Sequence, residues 1–185
     1  RAGLVTGRYP HANGTMGLTH ADFAWSLHDD ERPVAALLGA AGYETWLVNF
    51  QHETRDPQTL GFDKLELGGG LAAAPERIEA MLDAREGDKP FYCQIGCGET
   101  HRAWLKGKVK PDDSLGVWKP PYLKDDPELQ REMAQFQGSV RHLDTGLGLI
   151  LDALDDPEVK DNTIFVFTTD HGIDFPRAKG TMFDP

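Results

Sequence analysis

The sequence predicts an α/β fold, a mainly parallel sheet flanked by helices. Three observations carry this. Apolar runs too short for helices of their own, at 45–49, 91–95 and 162–169, recur along the 185 residues and are bounded by Gly, Pro, Asn or Asp. Stretches with helical periodicity alternate with them, giving the strand, crossover helix, strand order of a parallel sheet. The last run, Asn162-Thr-Ile-Phe-Val-Phe-Thr-Thr169, is apolar at successive positions, as a parallel strand covered on both faces is.

Each element has its own local cause. Arg1-Ala-Gly-Leu-Val-Thr-Gly7 reads as a helix already under way. Asp29-Asp-Glu-Arg-Pro33 places acidic residues and a proline at a helix start, 34–41 carries the helix, and Gly42 stops it. The strand at 45–49 follows. A second helix spans 75–84, with Ile78, Met81 and Leu82 as its stripe, and Lys89-Pro90 leads into the 91–95 strand. The stretch 104–127 is rich in Pro, Lys, Asp and Trp without a period; loops of that length inside compact domains are usually functional or mobile. From Pro127, the positions Leu129, Met133, Phe136, Val140, Leu143, Leu147, Ile150 and Leu154 alternate steps of four and three, the signature of one long amphipathic helix that ends near Asp155-Asp-Pro157. Both ends of the chain read as cut, so residues 1–185 are expected to be one partial domain of a longer protein.

The formal net charge of −11 argues against a nucleic-acid backbone or an anionic membrane surface as partner, so an anionic substrate would need a local positive site. No stretch approaches the roughly 18 to 20 apolar residues that span a bilayer. Cys93 and Cys97, if extended, lie about 13 Å apart at their α-carbons, too far for a disulfide. Free thiols are expected.

The richest local signal is Thr169-Asp170-His171-Gly172. At the carboxyl end of a buried strand, where open α/β sheets place their ligands, a carboxylate and an imidazole offer two metal donors; the same residues also suit a simple turn. Asp170 is a hard oxygen ligand suited to calcium or magnesium, whereas His171 is less usual for calcium. His52 and His101 fall just past strand ends, on the rim expected for Asp170, and this selects them as acid–base candidates over His11, His20, His28 and His142.

Taken together, these segments resemble the sulfatases of the alkaline-phosphatase superfamily. Arg1-Ala-Gly-Leu-Val-Thr-Gly-Arg8 resembles the continuation of the Cys-x-Pro-Ser-Arg signature, whose cysteine becomes formylglycine. Gly42-Tyr-Glu-Thr45 through His52 resembles the second signature, Gly-Tyr-x-Thr leading to Gly-Lys-x-His. The strand from Pro90 that delivers His101, the Asp170-His171 pair and Lys179-Gly-Thr181 complete the likeness. Glu99-Thr-His-Arg102, Gly172-Ile-Asp-Phe-Pro176 and Arg141-His-Leu-Asp-Thr-Gly-Leu-Gly148 look most like the heparan N-sulfatase (sulfamidase) branch.

The resemblance implies an alkaline-phosphatase-like sheet incomplete at both ends. It also implies hydrolysis of a sulfate ester or sulfamate on a sulfated sugar, with a divalent metal that is calcium by resemblance, or manganese or iron. Asp170 and His171 are then metal ligands, Arg1, His52 and His101 catalytic, and Lys179 with His101 substrate-binding. The formylglycine residue would lie four positions before Arg1 with further metal ligands before it, so these residues alone should not turn over substrate. One position departs from the pattern: Phe50 stands where the second signature has lysine, and Arg55 or Arg102 are the candidate substitutes. Phosphomonoester or phosphonate hydrolysis is the rival, favoured by His171 and the missing lysine; a non-catalytic binding protein of the same fold is the third reading.

Overall fold

A computed structural model describes residues 1–20, 22–85, 87–104 and 109–179. The chain divides into two compact units, Arg1–Gly96 and Cys97–Pro185.

The first unit opens with two short helices, α1 (Ala2–Thr6) and α2 (Pro10–Asn13), followed by α3 (Val34–Ala40). Pro33 precedes the first residue of α3 with its φ fixed near the helical value, and Gly42 ends the turn in the left-handed region at φ 94°. β1 (Glu44–Asn49) pairs in parallel with β2 (Lys64–Leu67) on one side and β3 (Phe91–Ile95) on the other. Because β1 is the middle strand, Thr45 to Asn49 are all buried, and the Trp-Leu-Val run that made it legible fills both faces. A helix, α4 (Ala74–Asp83), buries Ile78 and Met81 on the way from β2 to β3.

The order β2-β1-β3 means that the chain leaves β1 to one side and returns on the other. Such a reversal opens a crevice outside the carboxyl ends of the two strands where it occurs, here β1 and β3. β2 lies outside the predicted elements. Its Lys-Leu-Glu-Leu sequence is short and mostly exposed, and Lys64 and Glu66 suit the uncovered edge of a sheet.

The second unit is built on α5 (Pro127–Ala153), a helix of 27 residues, with the short α6 (Pro157–Lys160) after it. Asp126 caps α5: its Oδ1 accepts from the backbone N–H groups of Glu128 and Leu129, each at 3.0 Å, and Pro127 occupies the first helical position. Trp104, Met133 and Phe175 form the core, with the Trp104 ring edge-on to Phe136 at 5.1 Å. Gly138 lets the backbone of Lys110 and Pro111 cross α5 where a Cβ would overlap it. Burial therefore gathers on Met133, Ala134, Gly138 and Ser139, and Val140, expected in the apolar stripe, is 42% exposed.

One expectation is corrected. The 162–169 run is in no ladder among the described residues, and Ile164 and Val166 are 90% and 76% exposed. A strand apolar on both faces needs a neighbour along its edge and a layer over each side. The second unit contains no strand among its described residues to provide the first. Thr181 and its neighbour Gly180, the end of the predicted lysine stretch, lie outside the described residues.

Candidate active site

The first unit builds a compact arrangement on the turn after β1. Asn49 takes a left-handed conformation at φ 72°, a region that asparagine tolerates better than most residues, and so turns the chain sharply at the strand end. The Gln51 side-chain carbonyl then accepts from the N–H groups of Glu53 (2.7 Å) and Thr54 (3.0 Å), closing the turn on itself. The end of β3 passes close by: Gly96 N–H donates to Val48 O at 3.0 Å, and a Cβ at Gly96 would overlap the Phe50 carbonyl.

Rings and charge stack on this turn. The Arg1 guanidinium lies over the Phe50 ring at 4.7 Å, the Phe50 ring meets the His52 ring edge-on at 5.3 Å, and the His52 ring lies against His20 at 4.7 Å. Arg1 and His52, two of the expected catalytic residues, are thus drawn to one aromatic platform. The position expected to hold lysine supplies that platform. Of the suggested substitutes, Arg102 is bound to Glu132 at 2.7 Å in the second unit, and the Arg55 side chain is exposed.

His20 and Glu53 were not legible as site residues. His20 is brought to His52 from a segment far away in sequence without any local motif. Glu53 is 2% exposed, and its Oε1 accepts from Gln94 Nε2 at 2.9 Å. Burial raises its carboxyl above the ordinary 4.5, against the opposing pull of the Arg1 charge, its own backbone N–H and Gln94. Burial also pushes Tyr92, next along β3 from the same cluster, up to about 12, with the Glu53 charge adding to it. The one signal available in the sequence was the sheet-end position that Glu53 shares with His52.

The second unit holds the other expected residues. Asp170 Oδ1 and His171 Nε2 are 3.6 Å apart, and His171 Nδ1 is 2.9 Å from the Gly172 carbonyl. A carbonyl only accepts, so Nδ1 carries a proton and Nε2 is the ring nitrogen turned to the carboxylate. This pair fits a divalent cation as far as it goes: one hard oxygen and one imidazole nitrogen, partly exposed and close enough to share an ion. The described residues contain no group of three or more such donors. The loop then folds back, with Lys179 N–H donating to Ile173 O at 3.0 Å, which returns the exposed Lys179 to the neighbourhood of the pair. His101 repeats the His171 pattern, its Nδ1 2.9 Å from the Arg102 carbonyl, leaving Nε2 to exchange a proton.

The sulfatase family model matches residues 72–181, more than half of the chain. The chain belongs to the sulfatase family. As a sulfatase it is 26% identical over 217 residues to human N-sulphoglucosamine sulphohydrolase, a match covering 100% of this chain and 43% of that protein. It is also 45% identical over 73 residues to iduronate 2-sulfatase of Mus musculus, covering 39% of this chain and 13% of that one. Two solved structures share the α/β fold. One comes from work on the metabolism of multiple glycosaminoglycans by Bacteroides thetaiotaomicron, with a TM-score of 0.70 at 19% identity over 92% of this sulfatase and 48% of that chain. The other was solved in complex with its substrate D-glucosamine-2-N,6-O-disulfate, with a TM-score of 0.57 at 16% identity over 83% of this chain and 51% of that one. The sulfatase chain thus spans about half the length of the relatives that it matches along most of its own length.

Proposed function

We propose that the complete protein hydrolyses a sulfamate or sulfate ester on an amino sugar. The observation that carries this reading is the similarity to human N-sulphoglucosamine sulphohydrolase along the whole chain. The residue chemistry supports it. Splitting a sulfuryl group from nitrogen or oxygen requires cations on the sulfuryl oxygens and an acid for the leaving atom. Arg1 presents a planar guanidinium suited to forked hydrogen bonds with two such oxygens, and Lys179 a compact ammonium. His101 and His52 supply imidazoles for the leaving atom, and the Nδ1 contact of His101 with a carbonyl supports Nε2 as its proton-delivering nitrogen. Asp170 and His171 would hold a divalent cation, calcium by resemblance, which when bound polarises the sulfuryl group and its nucleophile. That nucleophile, by the family resemblance, is a formylglycine upstream of Arg1.

The test is an assay of the complete protein on N-sulfoglucosamine, an aryl sulfate and an aryl phosphonate, before and after chelation. Turnover of the sulfamate or sulfate above the phosphonate, lost on chelation and restored by calcium or manganese, is the expected result. His171 favours the phosphonate alternative, and a phosphonate preference would replace the sulfatase reading with it. Absence of turnover on all three would make the protein a binding member of the family.

A further inference from the structure

Glu99 and His142 have no part in the chemistry above, yet they join the turn that carries His101 to helix α5. His101 N–H donates to the Gly98 carbonyl at 3.0 Å, so Gly98 to His101 form one tight turn with Glu99 inside it. Glu99 Oε1 lies 3.7 Å from His142 Nε2, within ion-pair range but longer than a hydrogen bond. The Glu99 side chain is 18% exposed, and its second oxygen, Oε2, is buried with no hydrogen-bond partner among the described residues. A carboxylate in that state is unfavourable unless a proton or a cation compensates it. The cationic group that the structure brings to it is His142.

The other flank of His101 is tied to the same helix. Arg102 Nε is 2.7 Å from Glu132 Oε1. Residues 132 and 142 stand about 15 Å apart along a helix, so two ties of opposite polarity hold the turn in angle as well as in place. The neighbours of His142 one turn away on α5, Gly138, Ser139, Thr145 and Gly146, are uncharged. The other charged groups that share a cavity with it are Lys110, Arg141 and Asp112, and the last two are paired with each other.

We propose that Glu99 and His142 are positioning residues, a carboxylate and a protonated imidazole whose pairing fixes the turn that presents the His101 imidazole. The proposal rests on the sulfatase reading only for the work that His101 then does. It carries a pH signature that a purely structural contact lacks. Histidine ordinarily changes charge between about pH 5 and 8, so the pair is charged at the acid end of that range and lost at the alkaline end. Arginine and carboxylate groups ordinarily titrate outside it, so the Arg102–Glu132 tie gives no such signal.

The experiment is a double-mutant cycle in the complete protein: wild type, Glu99→Gln, His142→Gln and the double variant. It follows kcat on the best substrate of the assay above, and the thermal unfolding midpoint, at about pH 5.5 and about pH 8. Glu99→Gln is expected to lower kcat at least about fivefold at the lower pH, with KM changed far less, and by less than about twofold at the higher. His142→Gln should do the same, and the double variant should lose no more than either single one. At the lower pH Glu99→Gln should lower the midpoint in wild type but not in the His142→Gln background; at the higher pH the two backgrounds should respond alike. Unchanged kcat in Glu99→Gln, an equal loss at both pH values, or losses that multiply in the double variant would each overturn the proposal. If wild type turns over none of the substrates, the sulfatase reading fails, and the midpoint cycle alone decides the pair: midpoint changes that add at the lower pH overturn it.

Discussion

Gly96 sets how closely the end of β3 can approach the turn that carries Phe50, His52 and Glu53. A methyl group there meets the Phe50 carbonyl, which is itself backbone and has no rotamer to escape through. Gly96→Ala should therefore displace the turn, destabilising the protein by about 1–3 kcal/mol, the usual range for overpacking. In urea unfolding the variant should show a lower midpoint. Its kcat should fall as well, since the Arg1 platform moves with the turn; an unchanged midpoint would mean that the crevice is looser than described. At this scale the sequence was partly transparent. His52, Asp170 and His171 were singled out because the signal for them lies in the few residues around them, and Asp170 Oδ1 lies 3.6 Å from His171 Nε2. The contacts of Arg1 with Phe50 and of His20 with His52 join segments that share no local pattern. Phe50 looked like a defect because its partner was not visible beside it.

Helix α5 shows what an element's own text decides. The sequence Asp126-Pro127-Glu128 is a start signal with a mechanism, and Asp126 caps the helix as that signal requires. Hydrogen bonds from the Leu129 and Glu128 N–H groups, with nearby Lys124 and Arg131, hold the Asp126 carboxyl below its ordinary 3.8, although burial opposes them. An acid with a lowered folded-state value stabilises the fold fully above its unfolded value and loses that contribution as pH falls through the folded one. Asp126→Ala should thus lower the thermal midpoint at pH 7, and the gap from wild type should close as pH is taken below about 4, near the ordinary aspartate value. A gap independent of pH would show that the loss comes from packing rather than from the charged cap. The 162–169 segment marks the other side. Its apolar pattern specifies burial on two faces but carries no information about which strand is to pair with it, because ladder partners are set by backbone groups that every residue has. β2 escaped notice for the opposite reason: an exposed edge needs no apolar run.

For the molecule as a whole, the exposed run Ile164 to Phe167 and the net charge of −11 act against each other in solution. Exposed apolar side chains on a segment that is in no ladder among the described residues invite association, and like charge resists it. Val166→Lys should reduce light scattering by the 185-residue chain although it brings the net charge nearer zero, so repulsion alone would predict the reverse. Equal or greater scattering would remove the segment as the cause. The sheet also contains a chemical clock. Cys93 sits in β3 opposite Trp46 of β1, and burial pushes its thiol up to about 12. Only the thiolate attacks an alkylating reagent, so at neutral pH the half-buried Cys93 reacts slowly in the folded strand. Its modification, told apart from that of the second thiol, Cys97, should quicken whenever β3 parts from β1, so that a simple thiol reaction reports on how often the crevice that carries Arg1 and Glu53 comes apart.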